Sequence, residues 1–288
     1  MMTIRWKSGI ALTGLILSLA RAEGAQFTPE NPAPMREEPL MAEEAATLGD
    51  LPLGLTLRGN ERATEIAMTR LRPGDHVIVG ANVVSLVAQL PKGLIRVLFV
   101  PSKDMSVMKT PEWQSALQAA DMFSMDDTKD VEAAKTLRAA ADQYGKKVLL
   151  APTGEVTDKV GKEMAPYGDE YLLQAQRWLQ EDTSRELTAF CDKVHQLVGE
   201  IHKSNPKAVI WVQVGRKLER SGGTAGLFIH AYARLKATHP EDIQMMHPFI
   251  GGGDNPPPGH GFAALEQFLD ALRPKQNTDA ATKPAPRG

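Results

Sequence analysis

Polar side chains that could act on a ligand recur at the ends of short apolar segments of this chain. Carboxylates in such positions can transfer protons, amides and imidazoles can hydrogen-bond to ligand hydroxyls, and an indole ring can stack on an apolar face. The candidate set consists of Asp126, Glu155, Gln174, Gln176, Trp211, Gln213, Arg216 and His247. Its composition points to acid–base chemistry on, or binding of, a small polar ligand.

The two carboxylates of this set are the candidate catalytic groups. We assign Glu155 as a general acid and Asp126 as the base or second carboxylate. Glycosidic bonds are cleaved between carboxyl groups about 5 Å apart in retaining enzymes and about 6.5–9.5 Å apart in inverting ones. Neighbouring strand ends could supply either separation.

The remaining residues are candidate ligand-binding groups. Gln174, Gln176 and Gln213 would bond to sugar hydroxyls. Trp211, which lies deeper, or Tyr171 would offer a stacking surface. Arg216 and His247 complete the predicted site. The alternative is that inward polar residues only satisfy one another in a protein core.

Short apolar segments that could carry these residues alternate with helix-like stretches. They are rich in Val, Ile, Leu or aromatic residues and are bounded by Gly, Pro, Asp or Lys, as is typical of strands. The predicted strands are His76–Ser85, Ile95–Pro101, Asp121–Asp126, Lys147–Pro152, Glu170–Gln176, Ala208–Val214 and Ile243–Phe249, and Leu51–Leu57 could be an eighth.

Two helices between the strands have clear end signals. The sequence from Thr183 to Glu186 has the form of a capping box, and apolar residues follow at helical spacing until Asn205-Pro206. The Ala-rich stretch from Asp130 to Tyr144 ends at Gly145, a suitable C-cap.

Strands that alternate with helices predict a parallel α/β sheet. Residues 46–273 have the length and strand count of a (βα)8-type, TIM-like barrel, either complete or with an irregular or missing unit. A doubly wound parallel sheet is the alternative, although no G-x-G-x-x-G turn follows the first strand.

Alternation within the strands predicts where the polar residues point. Gln174 shares a face with Gln176, and Gln213 shares one with Trp211. The apolar face should pack on the helices, so the polar face should line the barrel near its carboxyl end, where active sites of this fold lie.

At the level of fold the chain resembles the barrel glycoside hydrolases, whose commonest clan carries acids at the ends of strands four and seven. Glu155 matches the first position, but the seventh strand offers His247 in place of a carboxylate. The resemblance implies a glycan-active hydrolase, and the alternative is a non-catalytic barrel that binds a ligand or a partner.

Both termini differ from the body of the chain. Arg5 and Lys7 precede an apolar run of about 12 residues, and a small-x-small pattern ends at Ala22, as in a secretory signal peptide. We expect residues 1–22 to be removed on export to the periplasm or outside the cell, leaving no membrane span, because a spanning helix needs about 20 residues. Residues 23–45 are predicted to be a Pro/Glu-rich linker or an arm that lies along the surface, and residues 274–288 a disordered tail.

Composition narrows the classes of partner. The chain has 33 basic and 35 acidic residues, a formal net charge of -2, which argues against nucleic acid. The sequence contains no cofactor or metal motif. His195 and His202 are expected on the surface of a helix. Cys191 is the single cysteine. The expected partner is an oligosaccharide or another small polar ligand.

Overall fold

The computed structural model of the protein describes residues 38–101, 105–179, 183–216, 222–251 and 259–273. The predicted signal peptide and the predicted C-terminal tail lie outside these residues. Residues 38–45, which the sequence analysis assigns to a linker or arm, instead belong to helix α1, which packs against α7 and α8. The Lys236 ammonium donates to the carbonyl of Thr47 at 2.5 Å, so this helix is attached to the barrel body.

Eight parallel strands form one sheet in the order of the sequence. They are β1 Gly54–Leu57, β2 His76–Val79, β3 Ile95–Phe99, β4 Met122–Ser124, β5 Lys147–Leu150, β6 Glu170–Gln174, β7 Val209–Val214 and β8 Met245–Pro248. Every predicted strand is present, and the possible eighth strand is β1. The sequential order confirms the predicted barrel and rules out the doubly wound sheet, whose strand order reverses at a switch point.

The sheet is nearly closed between its first and last strands. Leu53 and Met246 form a parallel bridge, and the Met246 amide donates to the carbonyl of Pro52 at 3.0 Å. Gly54 allows this approach, because a Cβ atom there would lie 2.9 Å from Cδ2 of His247 and 3.0 Å from the Trp211 ring.

The strands are followed by helices that cover the outside of the barrel. The α-helices of the described residues are α1 Glu38–Leu48, α2 Glu61–Thr69, α3 Pro111–Ala119, α4 Val131–Tyr144, α5 Gly154–Met164, α6 Ser184–Ser204, α7 Ala225–Thr238 and α8 Phe262–Leu272. Within the described ranges, none of the helices is long and apolar enough to cross a membrane.

The helix end signals act as their residue types predict. The Thr183 hydroxyl accepts the Glu186 amide at the start of α6. Asp130 caps α4, and Gly145 ends it in the left-handed conformation at φ 64°. The apolar stripe of α6, which includes Leu187, is buried against the sheet, as its spacing predicts.

The sheet has an apolar layer on each of its two faces. The larger layer lies between the strands and the helices. The smaller one fills the barrel interior with side chains that include Ile78, Val97, Met122, Leu149, Leu172, Trp211 and Met245. Residues that share the phase of Trp211 and Leu172 therefore point inward, and this places the polar ends of β6, β7 and β8 in the barrel mouth.

Candidate ligand-binding site

A cavity of about 630 Å³ opens at the carboxyl ends of the strands. Polar groups and aromatic rings from β1, β3, β4, β6, β7 and β8 surround it. Its lining includes Thr56, Arg58, Asn60, Phe99, Asp126, Asp127, Gln174, Gln176, Gln213, His247, Phe249 and Phe262. The predicted residues Asp126, Gln174, Gln176, Gln213 and His247 thus come together around one space.

An amide–imidazole chain lies on one side of the cavity. Gln213 Nε2 is 3.0 Å from His247 Nδ1, and His247 Nε2 is 3.1 Å from the Thr56 hydroxyl. Burial lowers the pKa of His247 to about 4, so the ring is neutral at pH 7. When Nδ1 accepts the amide proton, Nε2 carries the single ring proton and donates it to Thr56.

Gln213 also has an unused acceptor. Its Oε1 is buried and has no hydrogen-bond partner among the described residues. A buried, unpaired amide oxygen costs about 1–3 kcal/mol. A donor that reaches this atom, from a water molecule or a ligand, would remove that cost.

Beside Gln213, on the neighbouring strand β6, the cavity carries an amide pair and a carboxylate. Gln174 Nε2 donates to Asp127 Oδ1 at 3.2 Å and to the Ala151 carbonyl at 3.0 Å. Its Oε1 accepts from Gln176 Nε2 at 3.3 Å. Asp127 has φ 47°, a left-handed conformation that is uncommon for residues other than glycine. This backbone turns the Asp127 carboxylate into the mouth.

Asp126 is held by Arg58, the residue that directly follows β1. Arg58 Nη2 donates to both carboxylate oxygens, at 2.9 and 2.8 Å, and the guanidinium lies 5.6 Å from the centre of the Phe99 ring. The two charged side chains are 60% and 49% exposed. Their charges offset each other at the rim of the cavity.

Glu155 does not lie in the barrel mouth, contrary to the sequence analysis. Thr153 caps helix α5 through the Val156 amide, so the chain is already helical at Gly154. The Glu155 side chain is 68% exposed and forms an ion pair with Arg177. The alternation of inward and outward side chains along a strand therefore ends before Glu155. The structure does not support its assignment as general acid.

Trp211 and Arg216 also differ from their predicted roles. Trp211 is completely buried below the cavity, and its Nε1 donates to the Glu170 carboxylate at 2.7 Å. It therefore belongs to the barrel interior and has no free face for stacking. Arg216 follows β7, its backbone amide donates to the carbonyl of Gly222 at 3.1 Å, and the cavity lining is made by other residues.

The sequence analysis missed Thr56, Arg58, Asp127 and Phe99. The first two share the inward phase of Gly54 along β1, so the alternation of that segment was the available signal. Asp127 has no such signal, because its direction depends on a left-handed backbone beyond the strand.

Because Gly54–Leu57 is the first strand, the number of every later strand is one higher than in the comparison with the glycosidases. Lys147–Leu150 is the fifth strand, not the fourth, and His247 lies on the eighth. The residues that follow the fourth strand are Asp126 and Asp127, whereas the seventh strand carries Gln213 near its end.

No protein-family model and no curated protein matches the chain in sequence. Solved structures with similar folds include a glycoside hydrolase family 17 β-1,3-glucanosyltransferase from Rhizomucor miehei, with 12% identity, a TM-score of 0.48, and coverage of 74% of this chain and 91% of that one. A β-glucuronidase from Ruminococcus gnavus has 11% identity and a TM-score of 0.47, covering 77% and 48%. Orotidine 5'-monophosphate decarboxylase from Methanocaldococcus jannaschii has 13% identity and a TM-score of 0.44, covering 78% and 100%. At this level of identity the likeness concerns the fold alone.

Proposed function

We propose that this protein binds a short, uncharged saccharide in the cavity at the carboxyl end of its barrel. The observations that carry the proposal are a polar cavity of about 630 Å³ and, on its lining residue Gln213, a buried Oε1 without a hydrogen-bond partner among the described residues. Small-molecule sites are commonly about 300–1,000 Å³, so the space suits a ligand of this class.

The chemistry of the lining favours a ligand rich in hydroxyl groups. Amides such as Gln174 and Gln176 both donate and accept, which matches a hydroxyl that does the same. The rings of Phe99, Phe249 and Phe262 add apolar surface for the C–H face of a sugar.

The charges around the cavity disfavour an anionic ligand. Among the described residues that line the cavity, the one Lys or Arg side chain is Arg58, which is already paired with Asp126, and His247 is neutral at pH 7. Asp127 adds negative charge, which would repel a carboxylate or phosphate. A neutral sugar avoids both costs.

A binding experiment on the full chain tests the proposal. Calorimetric titration with a mixed set of neutral oligosaccharides identifies a ligand, and Gln213→Ala is then compared with the wild type. We expect binding to weaken roughly 5- to 10-fold, because one hydrogen bond is worth about 1 kcal/mol.

Glu155→Gln is the matched control, since Glu155 carries an exposed carboxylate outside the cavity. It should bind as the wild type does. Equal affinity of Gln213→Ala and wild type, or the absence of binding to every sugar in the set, would contradict the proposal.

Hydrolysis of the bound glycan is a second candidate function, favoured by the left-handed backbone at Asp127. Non-glycine residues in such conformations concentrate at functional sites, and here the backbone directs a carboxylate into the cavity. Asp127 and Asp126 would supply the two carboxyl groups that such a reaction needs. The amide on β7 in place of an acid makes binding the better supported function.

Release of reducing ends from the bound oligosaccharide distinguishes the two candidates. If the protein is a hydrolase, Asp127→Asn should reduce the rate at least about 100-fold while the ligand still binds. Wild-type protein that binds the sugar without releasing reducing ends is a binding protein only.

Export completes the proposed function. The basic, apolar and small-x-small pattern of residues 1–22 supports a signal peptide. The mature protein should begin near Glu23 or Gln26, which N-terminal sequencing of the exported product measures. A product that starts at Met1 would contradict export.

A further inference from the structure

Four potential metal ligands lie together at the amino end of the barrel, away from the cavity. His195 is on α6, and the others are in the turn between α7 and β8: His239 directly after α7, then Glu241 and Asp242 in a 3-10 turn. One ligand atom of each residue lies within 4.8 Å of the others. We propose that this cluster is a binding site for a divalent transition-metal ion of the zinc class.

The arrangement of the two imidazoles supports the site. The rings of His195 and His239 are stacked, with centroids 4.1 Å apart and planes inclined by 14°. His195 Nδ1 is 2.8 Å from Asp242 Oδ2. Ligands about 2.0–2.2 Å from a tetrahedral ion lie roughly 3.3–3.6 Å apart. The cluster needs to contract by only about 1 Å to reach this geometry, which small side-chain rotations provide.

One side of the cluster is buried and held by hydrogen bonds, and the other side is open to solvent. Asp242 is buried, with 4% of its side chain exposed, and its backbone amide donates to the His239 carbonyl at 3.1 Å. Gln244 further ties the turn to the sheet, because it donates to the Glu241 carbonyl and accepts the Ile210 amide. Glu241 is exposed and His239 is half-buried, so an ion can enter from solvent.

A His195–Asp242 pair alone would account for the buried carboxylate. It does not account for a second imidazole stacked on the first and a second carboxylate within the same 4.8 Å. A metal ion explains all four positions with one interaction.

The ligand types select the class of ion. Imidazole nitrogen with carboxylate oxygen suits Zn²⁺, Co²⁺ and Ni²⁺, whereas Ca²⁺ and Mg²⁺ prefer oxygen ligands alone. A bound ion would join the middle of α6 to the turn before β8. Since only the folded chain brings these four residues together, binding would stabilise the folded state.

The test uses the full chain without an affinity tag, stripped with chelator and dialysed. Calorimetric titration with ZnCl₂ should show one ion per chain, and saturating ZnCl₂ should raise the melting temperature. CoCl₂ should give the visible absorption of a tetrahedral cobalt complex. MgCl₂ and CaCl₂ should produce neither effect.

Variants assign the ion to this cluster. His239→Ala, in a half-buried turn position, and His195→Gln, on an exposed helix face, should each weaken zinc binding at least 10-fold and abolish the thermal shift. His202→Gln on the same helix is the control, because His202 bonds to the Ala208 carbonyl and lies outside the cluster. The proposal is overturned if the wild type binds no zinc, or if both variants bind it as tightly as the His202→Gln control.

Discussion

Polar side chains occupy the interior of the barrel at both ends, and a cavity opens beside those at the carboxyl end. At the amino end Glu170 accepts from Trp211 Nε1 at 2.7 Å and lies 3.5 Å from His76 Nε2. His76 in turn bonds to the Gly74 carbonyl at 3.1 Å. These groups are buried and bonded to one another.

At the carboxyl end the polar groups are only partly satisfied by the protein. Gln213 Oε1 has no partner among the described residues, and the amides border a cavity of about 630 Å³. A polar residue inside a barrel is therefore not a ligand site in itself. The combination of an unpaired buried atom and adjacent space distinguishes the binding end from the structural end.

The largest expected effect is at the structural end. Trp211→Ala should lower the free energy of unfolding by about 3–5 kcal/mol, because it empties a fully buried site and removes the donor to Glu170. Urea denaturation measures the change. Gln174→Ala at the half-buried mouth is the control and should cost much less. A loss below about 1 kcal/mol for Trp211→Ala would remove the distinction between the two ends.

The next effect concerns pH at the binding end. The pKa of His247 is lowered by burial from 6.5 to about 4. Below pH 6.5 the unfolded chain takes up a proton at this residue and the folded chain does not, so stability falls between these pH values. The contribution of His247 is fully present above pH 6.5 and decreases by up to about 3 kcal/mol as the pH approaches 4.

The His247→Gln variant isolates this contribution from those of the other histidines. The difference in unfolding free energy between wild type and variant should change with pH over this window and be constant above it. A constant difference from pH 7 down to pH 4 would mean that His247 is not buried in its neutral form.

Glu170→Leu should have an intermediate effect. It leaves the buried Trp211 Nε1 without its acceptor, which should cost about 1–3 kcal/mol of stability. Glu170→Gln retains an acceptor oxygen and should recover part of the loss. Equal stability of both variants and the wild type would show that the hydrogen bond at the amino end contributes nothing measurable.

The smallest effect on stability is expected at the rim of the cavity. Arg58→Ala removes an exposed ion pair and should change the free energy of unfolding by less than about 1 kcal/mol. It should nevertheless change saccharide affinity, because Arg58 and Asp126 both line the cavity. Arg177→Ala removes the exposed pair with Glu155 and is the control. A similar affinity in both variants would place the Arg58 pair outside the ligand's reach.

The sequence by itself determined the barrel and most of one side of its mouth. Alternating strand and helix signals predicted the βα order, because each strand must bury an apolar face under a helix. The period of two along β6, β7 and β8 directed Gln174, Gln213 and His247 inward, and all three line the cavity. These features depend on neighbours along the chain, so local residue patterns contain them.

Only the tertiary structure decided which distant side chains contact each other and which residues depart from the predicted pattern. Arg58 and Asp126 are 68 positions apart and meet because the sheet closes on itself. Glu155 turned outward because the cap at Thr153 changes the period from strand to helix immediately before it. The His195 cluster joins residues of α6 to a turn more than forty positions later. Such contacts depend on closure of the barrel and packing of its helices, which no local pattern specifies.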